Sequence, residues 1–347
     1  RADYKIDATL DPEARLVNGR ATITYTNNAP VALEHVWLHL EQNLYRPESV
    51  GALAAGEDFG LGGVPRDFSG GMELGAVRVD WTEATLHVFD TLGRIYLAQP
   101  LRANGGTVSI ELSWSFVIPP NGSDRMGYEE TSDGPVFQVA QWFPSVAKYD
   151  DVHGWNTLPY MSVGEFYTDF GDYEVSITVP HDHIVGATGV LQNESEVLSE
   201  AQRERLARAR ASSETVVIIG PDEIGGTRTR VAGDGKLTWR YQAKNVRTFA
   251  WASSRAFIWD AAAVGGDAHK AGGTLAMSLY SRDAMPLWQE STDMLRFAIE
   301  GYNQRWFTYP YPVATNVNGI VPGMEYPMII FCSERKDRYE LYSVTTH

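Results

Sequence analysis

The chain has 347 residues, with 44 acidic against 29 basic side chains and a formal charge of −15. No basic run suits a phosphate backbone, which argues against nucleic acid as a partner, and no apolar run approaches the roughly 20 residues that span a bilayer. A single cysteine, Cys332, excludes an internal disulfide framework and a multi-thiolate zinc site, and leaves both cytoplasm and periplasm or secretion open.

The length suits two ordinary domains. The opening residues, RADYKIDATL, carry no signal-peptide core. From there to about residue 260 the chain reads as short strands. Ala21, Ile23 and Tyr25 alternate with threonines; Val108, Ile110, Leu112, Trp114 and Phe116 alternate with Ser109, Glu111, Ser113 and Ser115; Tyr173, Val175, Ile177 and Val179 repeat the pattern. Turn clusters such as Asn104-Gly105-Gly106 separate these runs. Strands at this spacing without intervening helices predict an all-β saddle or sandwich domain over residues 1–260, with one inserted surface helix from Leu198 to Ala211. His35 and His39 lie in one such strand. Four residues there span about 13 Å at roughly 3.3 Å per residue, too far to share a metal ion. His181 and His183 follow Pro180 and read as solvated turn residues. Asn121 and Asn193 open glycosylation triplets, a pattern common by chance.

The composition changes after Trp259. Ala261 to Gly273 is rich in Ala and Gly and reads as a connector, followed by a strand near Thr274 to Tyr280. Pro286 then opens a helical segment in which Leu287, Ser291, Met294, Leu295, Ala298 and Tyr302 recur at three- and four-residue steps, and Tyr309-Pro310-Tyr311-Pro312 reads as a rigid loop into the next strand. The organisation expected is therefore α+β, a β-domain over 1–260 and a helix-containing part over 261–347.

The last stretch carries the chemistry. Glu325 stands in an apolar segment, Val321 to Ile330, flanked by Gly and Pro. A carboxylate buried there needs a cation, since an unpaired charge in low dielectric costs several kcal/mol. From the residues alone, Glu325 either pairs with an Arg or Lys in an ordinary edge strand or waits for a cationic ligand. Cys332 has no His or Asn partner nearby in sequence and reads as a small buried hydrophobe.

The run VPGMEYP (Val321 to Pro327) resembles the GxMEN-type exopeptidase segment of the alanyl aminopeptidase family of gluzincin metallopeptidases. Gly323, Met324 and Glu325 match, while the family's first Gly and final Asn fall on Pro322 and Tyr326. SVTTH (Ser343 to His347) resembles the run leading into that family's HExxH zinc helix. Tyr4 to Leu10 with Asn18-Gly19, and AKNVRTFAWASSRAFIWD (Ala243 to Asp260), resemble the opening and closing segments of its N-terminal β-domain. FQVAQWFPSVAKYDD (Phe137 to Asp151) resembles its Q/E…FPC.DEP region, with Ser145 where Cys is common. The resemblance implies an N-terminal all-β saddle or sandwich domain followed by the start of a thermolysin-like catalytic domain. It implies a metalloaminopeptidase that binds one Zn2+ and removes N-terminal residues from peptides with a free amino terminus. Glu325, Gln138, Gly323 and Met324 would bind substrate, and His347 would be the first zinc ligand, the general base and other ligands following it. These 347 residues would then hold at most one of three expected ligands and be inactive alone. Two alternatives accompany this reading: a catalytically inactive binding or scaffold protein of the same architecture, and a relative of the bifunctional leukotriene-type epoxide hydrolases.

Overall fold

The alternation from Tyr4 to Leu10 becomes a strand, Ala2–Asp11, whose even-numbered residues are buried. In the computed structural model, which describes residues 1–55, 68–120, 125–162, 164–224, 235–270 and 272–347, this strand pairs antiparallel with Leu16–Asn27 and parallel with Gly171–Pro180. Two compact units form. One gathers Arg1–Asp124, Ala140–Thr178 and Gln242–Phe249; the other gathers Arg125–Val139, Val179–Tyr241 and Ala250–His347.

In the first unit the main sheet runs in the order Gly171–Pro180, Ala2–Asp11, Leu16–Asn27, Gly106–Val117, Glu73–Val79, Thr82–Ala84. A second sheet of four strands has the order Ser145–Val146, Leu33–His39, Leu92–Leu101, Leu86–Phe89. The parallel pairing sets Tyr4 opposite Tyr173, and their rings stack at 4.6 Å. Tyr4 Oη also accepts a 2.9 Å hydrogen bond from Val146 N, which ties the second sheet to the first. Ile6, Leu10, Val17, Ile23, Ile110, Val36, Leu38 and Ile95 fill the core. The period-two strands expected from the sequence are all present.

The second unit holds a four-stranded antiparallel sheet, in the order Ile184–Ala187, Trp251–Ser254, Gly134–Val139, Gly127–Thr131, and a six-stranded mixed sheet. The order of the latter is Val216–Ile219, Ile258–Ala263, Leu275–Tyr280, Val313–Asn318, Ile329–Cys332, Gly323–Tyr326. Leu275–Tyr280, Val313–Asn318 and Ile329–Cys332 run parallel, and the helix Ser291–Arg305 makes the crossover between the first two. Met294, Leu295, Ala298 and Ile299 form its buried face. The inserted helix is Glu200–Arg210, opened by a capping box of Ser199 and Gln202 that satisfies two otherwise orphaned backbone N–H groups. Among the described residues no helix is long and apolar enough to cross a membrane.

Several details differ from the sequence reading. Residue 260 lies inside the Ile258–Ala263 strand, which is paired on both sides. The Ala-rich start of the expected connector, residues 261–263, is therefore buried strand, because alanine side chains leave room for the helices Glu200–Arg210 and Ser291–Arg305 to pack on it. His183 is buried, with Nδ1 2.8 Å from Ser253 Oγ, and is no solvated turn residue. Asn193 is also buried, its amide donating to Thr238 O and accepting from Arg240 N, which leaves it unfit as a sugar acceptor. Asn121 lies outside the described residues.

Candidate functional site

The Gly323–Tyr326 strand forms the outer edge of the six-stranded sheet, paired on one side only, with Glu325 opposite Ile330. Its burial alternates: Gly323 and Glu325 face solvent, while Met324 and Tyr326 face the core. Glu325 is thus exposed, not buried as its apolar neighbours suggested. Those neighbours are apolar because they occupy the other face of the strand, at the period of two. Among the described residues no cation pairs with the Glu325 carboxylate. Among the described residues no further strand pairs with this edge, to which an extended peptide could add.

The loop that feeds this strand is braced by Gln138. Gln138 sits on the Gly134–Val139 strand between Gly127–Thr131 and Trp251–Ser254, fully buried. Its Nε2 donates to Val317 O at 3.1 Å and its Oε1 accepts from Val321 N at 2.8 Å. A Cβ on Gly319 would fall 2.6 Å from Gln138 Cδ, so only glycine lets the amide lie against the turn. Gly319 N donates to Cys332 O, and Asn318 Oδ1 accepts from Ser281 Oγ, which pins the rest of the turn. The Cys332 thiol is pushed up to about 12, chiefly by burial, with Arg335 opposing and Glu325 adding to the shift. It is a packed side chain, not a nucleophile.

His347 closes the helix Arg338–Thr346, whose N-terminus is capped by Asp337 Oδ1 accepting from Tyr339 N and Glu340 N. A buried polar chain fastens this helix to the sheet: Asn316 Nδ2 donates to Thr345 Oγ1 at 3.0 Å and to Ser291 Oγ at 2.8 Å, and Ser278 lies 3.0 Å from Ser291. A Cβ on Gly323 would stand 3.2 Å from Val344 Cγ2. Glycine at 323 therefore lets the edge strand lie against the helix that ends in His347. The imidazole is exposed, and among the described residues no group of three His, Cys, Asp or Glu side chains could hold a metal ion.

One neighbouring carboxylate escaped the sequence reading. Glu129 is raised from its ordinary value by burial first, then by the negative charges of Glu334 and Asp283. It sits on the strand beside the one that carries Gln138. Nothing in its sequence context, GYEET, separates it from an ordinary strand glutamate, because its neighbours come from 150 and more residues away.

The brace gives a testable coupling. Gln138→Ala leaves Val321 N buried without its partner and takes the side-chain donor from Val317 O, which should cost about 1–3 kcal/mol. Gly319→Ala should cost about 1–3 kcal/mol by overpacking. Because both act through the same contact, the double variant should be less destabilised than the sum, by 1 kcal/mol or so in a double-mutant cycle read by urea unfolding. Strict additivity would show that the two residues do not press on one another.

No family model and no curated protein sequence matches the chain. Solved structures do match. The structure of an M1 zinc metallopeptidase from Deinococcus radiodurans aligns with a TM-score of 0.57 at 14% identity, covering 99% of this chain and 63% of that one. A variant of a two-domain M1 zinc metallopeptidase bound to L-arginine aligns at 0.56, and one bound to L-tryptophan at 0.54, both at 14% identity. The fold is thus that of M1 zinc metallopeptidases, and the chain spans somewhat under two thirds of the length of these neighbours.

Proposed function

We propose that the chain is the substrate-anchoring part of a zinc-dependent aminopeptidase, in which Glu325 holds the α-ammonium of a peptide laid along the Gly323–Tyr326 edge. The observation that carries this is the unpaired Glu325 carboxylate on an open sheet edge, within the segment that matches Gly-Met-Glu of the exopeptidase signature. A charge-assisted contact there would fix the cut after the first residue. Gly323 contributes by having no side chain, so that both the peptide and the Arg338–Thr346 helix can approach the strand. Met324 contributes its backbone to the edge, its side chain being buried. Gln138, its amide engaged with Val317 and Val321, serves by holding the turn in register. The sheet and helices after residue 260 are on this reading the opening of a thermolysin-like catalytic domain.

Among the described residues no set of side chains makes a zinc site. His347 is at most one ligand of the three a catalytic zinc needs, and no step of hydrolysis is assigned to this chain's residues. The test is metal analysis and an aminoacyl-arylamide assay, run on the full-length protein and on these 347 residues. One zinc per full-length chain with turnover, and neither in the 347 residues, is the expected result. A full-length protein that binds peptides with free amino termini but holds no zinc and turns nothing over would replace the enzyme by a binding protein of the same fold. Turnover that follows the 347-residue chain through purification would overturn the assignment of its parts.

A further inference from the structure

The Leu33–His39 strand of the first unit ends in a side chain that finds no bonding partner among the described residues. His39 is 7% exposed, pairs through its backbone with Leu92 and Ser145, and its ring makes no hydrogen bond or ion pair among the described residues. It opens into a cleft of about 810 Å³, within the range that takes up small organic ligands. After His39 the chain turns into the short helix Glu41–Tyr45, which supplies the buried carboxylate of Glu41 to the same cleft. The opposite wall is built from residues 150–161 together with Gly164, Glu165 and Tyr167. Its hairpin is fixed by the Asp150 carboxylate, which accepts from Val152 N, His153 N and Tyr167 Oη. Tyr160 anchors the floor, its N–H donating to Thr91 Oγ1 at 2.6 Å and its ring packed on Leu44 and Tyr45.

The lining decides what such a cleft accepts. Among the described residues it contains the carboxylates of Glu41, Asp150 and Glu165 and no Lys or Arg, so it disfavours anions. Its walls are apolar and aromatic, with Trp155 and Leu158 prominent, and Leu158 is 76% exposed. Burial with no partner pushes His39 down to about 4, so at neutral pH the ring is uncharged and presents one nitrogen lone pair. No three metal-ligating side chains converge among the described residues, which leaves an organic ligand. We propose that this cleft binds a small organic cation, a primary ammonium on a flat apolar body, with His39 accepting from the ammonium, the carboxylates supplying the field and Trp155 covering the apolar part. The face of an indole attracts a cation beyond its apolar contact, which is why ammonium and ring would be taken up together.

Tryptamine is a suitable probe, with N-acetyltryptamine and indole-3-acetate as neutral and anionic controls of the same body. Calorimetric titration of the protein should show one saturable site for tryptamine, with both controls at least about tenfold weaker. His39→Leu and Trp155→Ala should each weaken tryptamine by about tenfold or more. Glu325→Gln should leave this binding unchanged, which separates the cleft from any amine bound at the sheet edge. Should His39→Leu fail to fold, Trp155→Ala and the three ligands on the unaltered protein decide the case. Equal binding of the three ligands overturns the proposal, as does the absence of saturable binding at millimolar tryptamine. Binding abolished by Glu325→Gln but kept in Trp155→Ala overturns it too.

Discussion

Glu325→Ala in the full-length protein should lower kcat/KM for peptides by roughly 30- to 1,000-fold, on the order of 2–4 kcal/mol, while leaving the fold as stable as before. Both halves of that expectation come from the position of the residue. Glu325 is on the solvent face of an edge strand and makes no ion pair among the described residues, so its removal takes nothing from the folded chain. An ion pair that stayed in water would be worth no more than about 1 kcal/mol, or some fivefold. The larger figure follows if the peptide pairs with the Gly323–Tyr326 edge and covers the carboxylate as it binds, since the contact is then made out of water. The loss should be confined to substrates with a free amino terminus, because an N-acetylated peptide has no cation to anchor and should be poor for both proteins. Kinetics on the two substrate types and a melting curve on the same variant decide the matter. A variant that melts lower yet prefers free amino termini as strongly as the parent would mean that Glu325 pairs internally, and the anchoring role would be lost.

The strands were legible because their signal is local. In Val108 to Phe116 or Tyr173 to Val179 every second residue is apolar, and a half-buried strand is the one regular structure that uses such a pattern. The helix Glu200–Arg210 was legible through composition, and the expected bounds, Leu198 to Ala211, lie within two residues of its ends. Burial at a single position was not. Met324-Glu325-Tyr326 looks apolar as a run, yet the pleat turns the carboxylate outward. His183 looked like a surface residue because its partner, Ser253, lies 70 residues away. The same holds for Gln138. The resemblance implied a contact with substrate for it, while its bonds to Val317 and Val321, which bridge some 180 residues, have no signal in the local sequence. Alanine runs mislead in a further way: residues 261–263 have the composition of a connector and the burial of a core strand, since small side chains serve both.

Asp260 gives a large, pH-dependent effect on stability, and its sign is opposite to that usual for a carboxylate. It lies on the Ile258–Ala263 strand, 2% exposed; Tyr280 Oη donates to its Oδ2 at 2.5 Å, and its Oδ1 has no partner among the described residues. Burial pushes its carboxyl up to about 6, the Tyr280 hydrogen bond opposes this, and the charge of Asp293 adds to it. The folded chain therefore binds a proton that the unfolded chain, titrating near 3.8, gives up. Stability linked to this group is fully present below pH 3.8 and is lost as the pH rises through 6. A shift of this size corresponds to about 2–3 kcal/mol at neutral pH and above. Asp260→Asn keeps an acceptor for Tyr280 and cannot ionise, so it should stabilise the second unit by up to that amount at pH 8 and by almost nothing at pH 4. Tyr280→Phe should do the reverse at pH 8, because it strips the buried carboxylate of its one donor. Hydrogen exchange of the Leu275–Tyr280 amides reads the second unit's own stability whatever the first unit does. Faster exchange in Asp260→Asn at pH 8 would show that the ionised carboxylate is held by a partner that the structure does not give it, and a gain that is the same at pH 4 as at pH 8 would show that the effect does not come from the titration of Asp260.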